Sequence, residues 1–128
     1  MSELTLDQEK INSVLAIFYE ERFQDALHSI KALNEEYPNE SILYNIQGAC
    51  FAGLGNFKDA IESYETAISL NPTYAKAHFN LAGTLHEMDK LEASVKAYKT
   101  ALQIEPENEA FLNNLGNVYQ DLKEHNKA

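Results

Sequence analysis

The sequence predicts an all-α fold: a right-handed α-solenoid of helix–turn–helix repeats, with three hairpins and one further helix. Three observations carry that reading. The prolines stand at Pro38, Pro72 and Pro106, 34 residues apart both times, and a fixed period of this length marks a chain built from stacked copies of one small unit. Columns of matched size share the period: Ala26, Ala60, Ser94 and Ala128; Val14, Gly48, Ala82 and Gly116; Ile17, Phe51, Leu85 and Tyr119. Between the prolines, apolar residues recur at spacings of three and four, as in Leu43, Ile46, Cys50 and Leu54, and no stretch alternates as a strand would.

Each element follows from local signals. The first helix is expected over 6–20, opened by a capping box between Thr5 and Gln8. Glu21-Arg22 makes a turn into a second helix over 24–36. That helix stops before Pro38, because proline donates no backbone hydrogen bond and pushes the preceding residue out of the helical region. Helices over 41–54 and 57–69 flank Gly55-Asn56, and helices over 75–88 and 91–103 flank Asp89-Lys90. The last helix covers 109–122 and ends in a turn at Lys123-Glu124. The chain divides accordingly into a leader (1–6), repeats at 7–40, 41–74 and 75–108, and the first helix of a truncated fourth repeat (109–128). Ala128 stands where the second helix of that unit would begin.

Composition narrows the function. Ten basic and twenty acidic residues leave a net charge of −10. Nucleic-acid binders draw affinity from a basic stripe; this chain has none, so neither nucleic acid nor an anionic membrane is an expected partner. No apolar run approaches the roughly 18 residues of a membrane span, and the N-terminus lacks the basic-then-apolar pattern of a secretory signal. The lone Cys50 has no disulfide partner and sits in an apolar stretch, where it reads as core filler; a cytoplasmic location follows.

Catalytic constellations fail on spacing. His86-Glu87 begins a zinc-protease pattern, but Lys90 occupies the place of its second histidine. His28, His78 and His125 have no cysteine or histidine at ligand spacing. Gly48 to Gly53 opens like a phosphate loop, yet Leu54-Gly55 follows where lysine and a hydroxyl residue are required. No enzyme, metal site or cofactor is expected of this chain by itself.

These columns resemble the tetratricopeptide repeat (TPR) family. The third repeat matches through Leu81, Ala82, Leu85, Tyr98, Ala101 and Pro106, and the second through Tyr44, Gly48, Phe51, Ala60, Tyr64, Ala67 and Pro72. The first repeat matches through Val14, Ala26, Ile30, Leu33 and Pro38. Lys10, Ser13 and Gln47 depart from the pattern, where a large apolar residue is usual, and looser packing of the first two repeats is expected there. The small columns imply close helix approach: Gly48, Ala82 and Gly116 face a second helix, where Ala60, Ser94, Ala67 and Ala101 leave room.

The resemblance implies a protein-interaction module, a scaffold or adaptor holding a peptide or helix in a groove lined by the first helices of successive repeats. Carried over, that groove includes Gln8, Ile11, Leu15 and Phe18; Ile42, Asn45 and Ala49; Lys76, Phe79, Asn80, Gly83 and His86; and Asn113, Asn114, Asn117 and Gln120. The family's clamp for acidic chaperone tails is not matched. Ile11 and Leu15 stand where a lysine and an asparagine belong, Ala110 and Asn114 where cations belong, and Lys76 alone makes no clamp. An asparagine column does survive, in Asn12, Asn80 and Asn114 with Asn45 beside it. It is similar to the ladder that holds substrate backbone in O-linked N-acetylglucosamine transferase, although such amides also serve simply to fix repeat stacking. Two alternatives remain open: the N-terminal recognition arm of a larger enzyme such as a glycosyltransferase, and a structural self-assembly unit. On the last helix, Phe111, Val118 and Leu122 are expected to pack on the third repeat. Leu112, Leu115 and Tyr119 would face outward and support a homo-oligomer.

Overall fold

The computed structural model describes residues 6–126 and contains seven helices, with no strand among the described residues. They are α1 (Gln8–Tyr19), α2 (Phe23–Glu36), α3 (Ser41–Gly53), α4 (Phe57–Leu70), α5 (Ala75–Glu87), α6 (Leu91–Ile104) and α7 (Glu109–Asn126). The chain forms two compact units, one running to Asn71 and one from Pro72.

The turn inside each hairpin is the same device three times. Glu21, Gly55 and Asp89 take positive φ of 61°, 79° and 60°. In the second turn the Asn56 amide donates to Phe51 O at 2.8 Å and the Gly55 amide to Ala52 O at 3.0 Å. Arg22 and Glu21 repeat this pair on Ile17 and Phe18, and Lys90 and Asp89 on Leu85 and His86. This is the Schellman arrangement, which satisfies the last carbonyls of a helix through one left-handed residue. Only Gly55 enters that region without steric cost; Glu21 and Asp89 are held there at about 1–2 kcal/mol each.

The expected fourth turn does not form. α7 runs through Lys123-Glu124 to Asn126. A turn there would place Lys123 in the left-handed region, at about 1–2 kcal/mol. Continuing the helix instead lets His125 Nδ1 meet Asp121 O at 2.8 Å.

The hairpins are closed off as the prolines require. The amides of Tyr37, Asn71 and Glu105 donate to Leu33 O, Ala67 O and Ala101 O, and Pro38, Pro72 and Pro106 follow. At the start, Asp7 caps α1, its Oδ1 accepting from the Lys10 amide at 2.9 Å. Gln8 is the first helical residue and donates to Asn12; Thr5 lies outside the described residues.

The first unit packs Leu43, Ile30, Cys50, Val14 and Ala26 into one core. The residues that depart from the repeat pattern are built into specific polar contacts. Gln47 Oε1 accepts from Asn34 Nδ2 at 2.7 Å, and Gln47 Nε2 donates to Ser63 Oγ at 3.0 Å, tying α2, α3 and α4 together. Lys10 Nζ donates to the Tyr37 hydroxyl at 2.7 Å and lies 5.0 Å from that ring's centre. Cys50 is fully buried, and burial pushes its thiol up to about 11, so it stays protonated and inert near neutral pH.

In the second unit, Tyr98, Leu91, Ala82, Leu115 and Val118 form one cluster and Ala75, Ala101 and Phe111 another. Ser94 donates to Ala82 O at 2.7 Å, so α6 touches the α5 backbone where the column demands a small residue. Two expectations are corrected. Leu115 does not face outward; it is buried beside Val118, because α7 turns Phe111, Leu115, Val118 and Leu122 to the core as a single stripe. Gly116 makes no close helix approach, since a Cβ placed there would meet nothing within 4 Å.

Candidate functional site

Within the second unit, α5 and α7 pack side by side and share an exposed face. Phe79 stacks on Phe111 with ring centres 4.8 Å apart, and His86 Nε2 meets Asp121 Oδ2 at 2.5 Å. Near the same end, His125 Nε2 lies 3.2 Å from Asp89 Oδ2. These contacts fix which stripes lie between the helices. Lys76, Asn80, Gly83 and Glu87 follow one another at helical spacing along α5, with Lys76 and Glu87 exposed and Asn80 and Gly83 half-buried. On α7, Asn114, Asn117 and Asp121 do the same.

The floor of the face is the Tyr98 hydroxyl, reaching up from α6. It stands 3.6 Å from where a Cβ on Gly83 would lie, and Asn114 hydrogen-bonds to it. Burial raises the Tyr98 phenol above its ordinary range, the Asn114 amide works against this, and the charge of Glu87 raises it further. Tyr98 is therefore a neutral polar group at neutral pH. A backbone passing over Gly83 would meet that hydroxyl and the surrounding amides.

The expected groove residues separate into kinds. Asn117 and Lys76 are exposed and available, whereas Asn114 is already engaged by Tyr98. Asn113 is exposed but lies a quarter-turn further from α5 than Asn114. Phe79 belongs to both core clusters of the unit and is first a packing residue, with Lys76 Nζ 6.0 Å from its ring centre. His86 is half-buried and paired with Asp121. Asn45 is buried in the first unit, 6% exposed, with its side chain engaged. It cannot reach a ligand without leaving that position.

Sequence reasoning missed Glu87 and Asp121. Both give the face a negative end, and their signal was present in helical spacing: Glu87 falls one turn after Gly83, and Asp121 one turn after Asn117. Among the described residues, no three His, Cys, Asp or Glu are grouped to hold a metal ion, and no helix is long and apolar enough to cross a membrane.

The profile of the TPR repeat family matches residues 51–89 and 84–123. The Hsp70-Hsp90 organizing protein of Triticum aestivum is 21% identical over 122 residues, covering 95% of this chain and 20% of that protein. The Hsp70/Hsp90 co-chaperone CNS1 of Saccharomyces cerevisiae is 34% identical over 105 residues, covering 77% of this chain and 27% of that protein. This chain thus spans about a fifth to a quarter of the length of these two relatives. Among solved structures, the first TPR of Spaghetti (RPAP3), bound to the HSP90 peptide SRMEEVD, is similar in fold at a TM-score of 0.83 and 23% identity, with 92% of this chain and 97% of that one covered. Seven helices in phase with a 34-residue period, and a family profile that matches from α3 into α7, lead to one conclusion: this chain belongs to the TPR repeat family.

Proposed function

We propose that the chain is a protein-interaction adaptor whose ligand is a peptide or helical segment laid along the shared face of α5 and α7. The observation that carries this is the polar floor at the Tyr98 hydroxyl, met by Gly83 of α5 and Asn114 of α7, with the amide of Asn117 exposed on the same stripe of α7. An amide both donates and accepts, so it pairs with peptide backbone of any sequence. The relatives named as an Hsp70-Hsp90 organizing protein and an Hsp70/Hsp90 co-chaperone, and the solved TPR holding a heptapeptide, support an adaptor over the arm of an enzyme.

The ligand proposed for this chain differs in charge from the acidic SRMEEVD. Lys76 is the one cation on the face, while Glu87, Asp121 and a net charge of −10 oppose an acidic segment. A neutral or basic segment fits. Calorimetric titration of the chain with the acidic SRMEEVD and with SRMQQVN, C-terminally amidated and therefore net basic, tests this. The acidic peptide is expected to bind at least about tenfold more weakly, or about 1.4 kcal/mol. Tighter binding of SRMEEVD would overturn this reading in favour of an acidic ligand like the one held by the solved TPR.

A further inference from the structure

The outward side of α7 carries a stripe that is complementary to itself. Glu109, Leu112, Gly116, Tyr119 and Lys123 follow at spacings of three and four, and all five are exposed. Leu112 and Tyr119 are 48% and 45% accessible, and the space over Gly116 is empty. The stripe is symmetric about its glycine. Glu109 lies seven residues before Gly116 and Lys123 seven after; Leu112 lies four before and Tyr119 three after. Beside Leu112 is an open hollow of about 360 Å³, lined by Lys99, Leu102, Gln103 and Pro106.

We propose that this face pairs two copies of the chain through their α7 helices, antiparallel, about a two-fold axis at Gly116. A two-fold contact uses one patch twice and must be self-complementary. Here it is so in shape and in charge. Gly116 meets Gly116 where the lack of a side chain allows helix axes to approach. Leu112 of each copy meets Tyr119 of the other at the rim of the hollow, and Glu109 of each meets Lys123 of the other. The same carboxylate and ammonium also suit the two ends of the α7 dipole, but that role gives no reason for an apolar, glycine-centred seam between them. The stripe is narrower than a standard interface, so the dimer is weak, with a dissociation constant on the order of 100 μM.

Sedimentation equilibrium of the intact chain from about 5 to 500 μM tests the proposal, in 150 mM salt so that the Debye length of about 8 Å screens the net charge. Wild type is expected to dimerise in this range. E109K, whose stripe is positive at both ends, and K123E, whose stripe is negative at both, should each self-associate at least about tenfold more weakly. An equimolar mixture of the two should recover dimers of wild-type strength or better, because every end then meets its opposite. G116L, which fills the crossing point, should remain monomeric with its helicity intact. Wild type that stays monomeric at 500 μM would overturn the proposal. So would variants that dimerise as wild type does, or a mixture no stronger than its components.

Discussion

The ring of Tyr64 lies so close over Gly48 that a methyl group on that glycine would stand 2.5 Å from its Cε1. Gly116 occupies the same column of the repeat, 68 residues on, and has nothing within 4 Å. One residue type at one repeat position thus has opposite physical meanings in the two units.

Alanine at the two glycines should therefore act in opposite directions. Gly48→Ala gains about 1 kcal/mol of helix propensity but displaces Tyr64, at an overpacking cost of about 1–3 kcal/mol, and should lower the melting temperature. Gly116→Ala gains the propensity with no clash and should raise it. Thermal denaturation at about 5 μM, below the proposed dimerisation, checks both. Equal effects would mean that the α3–α4 contact is not as tight as described.

Removing Gln47 alone, the middle of the Asn34–Gln47–Ser63 chain, should cost more than removing it together with Asn34. Gln47→Ala leaves Asn34 Nδ2 without its acceptor, and the Asn34 Oδ1 is already buried without a partner. A loss of about 1–3 kcal/mol is expected from the desolvated amide. In the double variant Asn34→Leu/Gln47→Leu the orphaned groups are gone, and stability should return toward wild type. Urea unfolding of wild type and both variants measures these stabilities.

His125 should make α7 sensitive to pH. Its imidazole is raised above its ordinary 6.5, first by the bond to Asp121 O and then by Asp89. A raised folded value means that protonation favours the folded state. The contribution is complete below about 6.5 and is lost as pH rises through the folded value. Fraying of the last turns of α7, followed by amide exchange at 121–126, should increase above that pH. In Asp89→Asn the change should shrink, because one of the raising contacts is removed. A His125 titration midpoint at or below 6.5 by NMR would contradict this account.

The fold was legible because the period is local chemistry repeated. Pro38, Pro72 and Pro106 mark where helices stop, and the column Glu21, Gly55, Asp89 marks the left-handed turn. Lys123 broke the column because a lysine there would bear left-handed strain, while the continued helix gives His125 a bond to Asp121 O that a residue column does not reveal. Leu115 was misplaced for a related reason: with apolar residues at 111, 112, 115, 118, 119 and 122, two faces of α7 are candidates for the core, and contact with α5 and α6 decides between them. The face of α5 and α7 was half legible. Its amides lie in a column, but their availability depends on partners distant in sequence, as when Tyr98 claims Asn114. Gln47 looked like a defect in the pattern, and only the arrival of Asn34 and Ser63 from neighbouring helices makes it a bonded element.

On the proposed reading, α5 and α7 present a face for a neutral or basic protein segment. Selection from a displayed random heptapeptide library, with the intact chain and with the Asn117→Ala variant side by side, tests this. Wild type should enrich peptides of zero or positive net charge. The variant, folded by circular dichroism, should bind the best of them roughly two- to tenfold more weakly, at about 0.5–1.5 kcal/mol for the lost hydrogen bond. Equal affinity for wild type and variant, or a selected pool dominated by acidic peptides, would contradict the account.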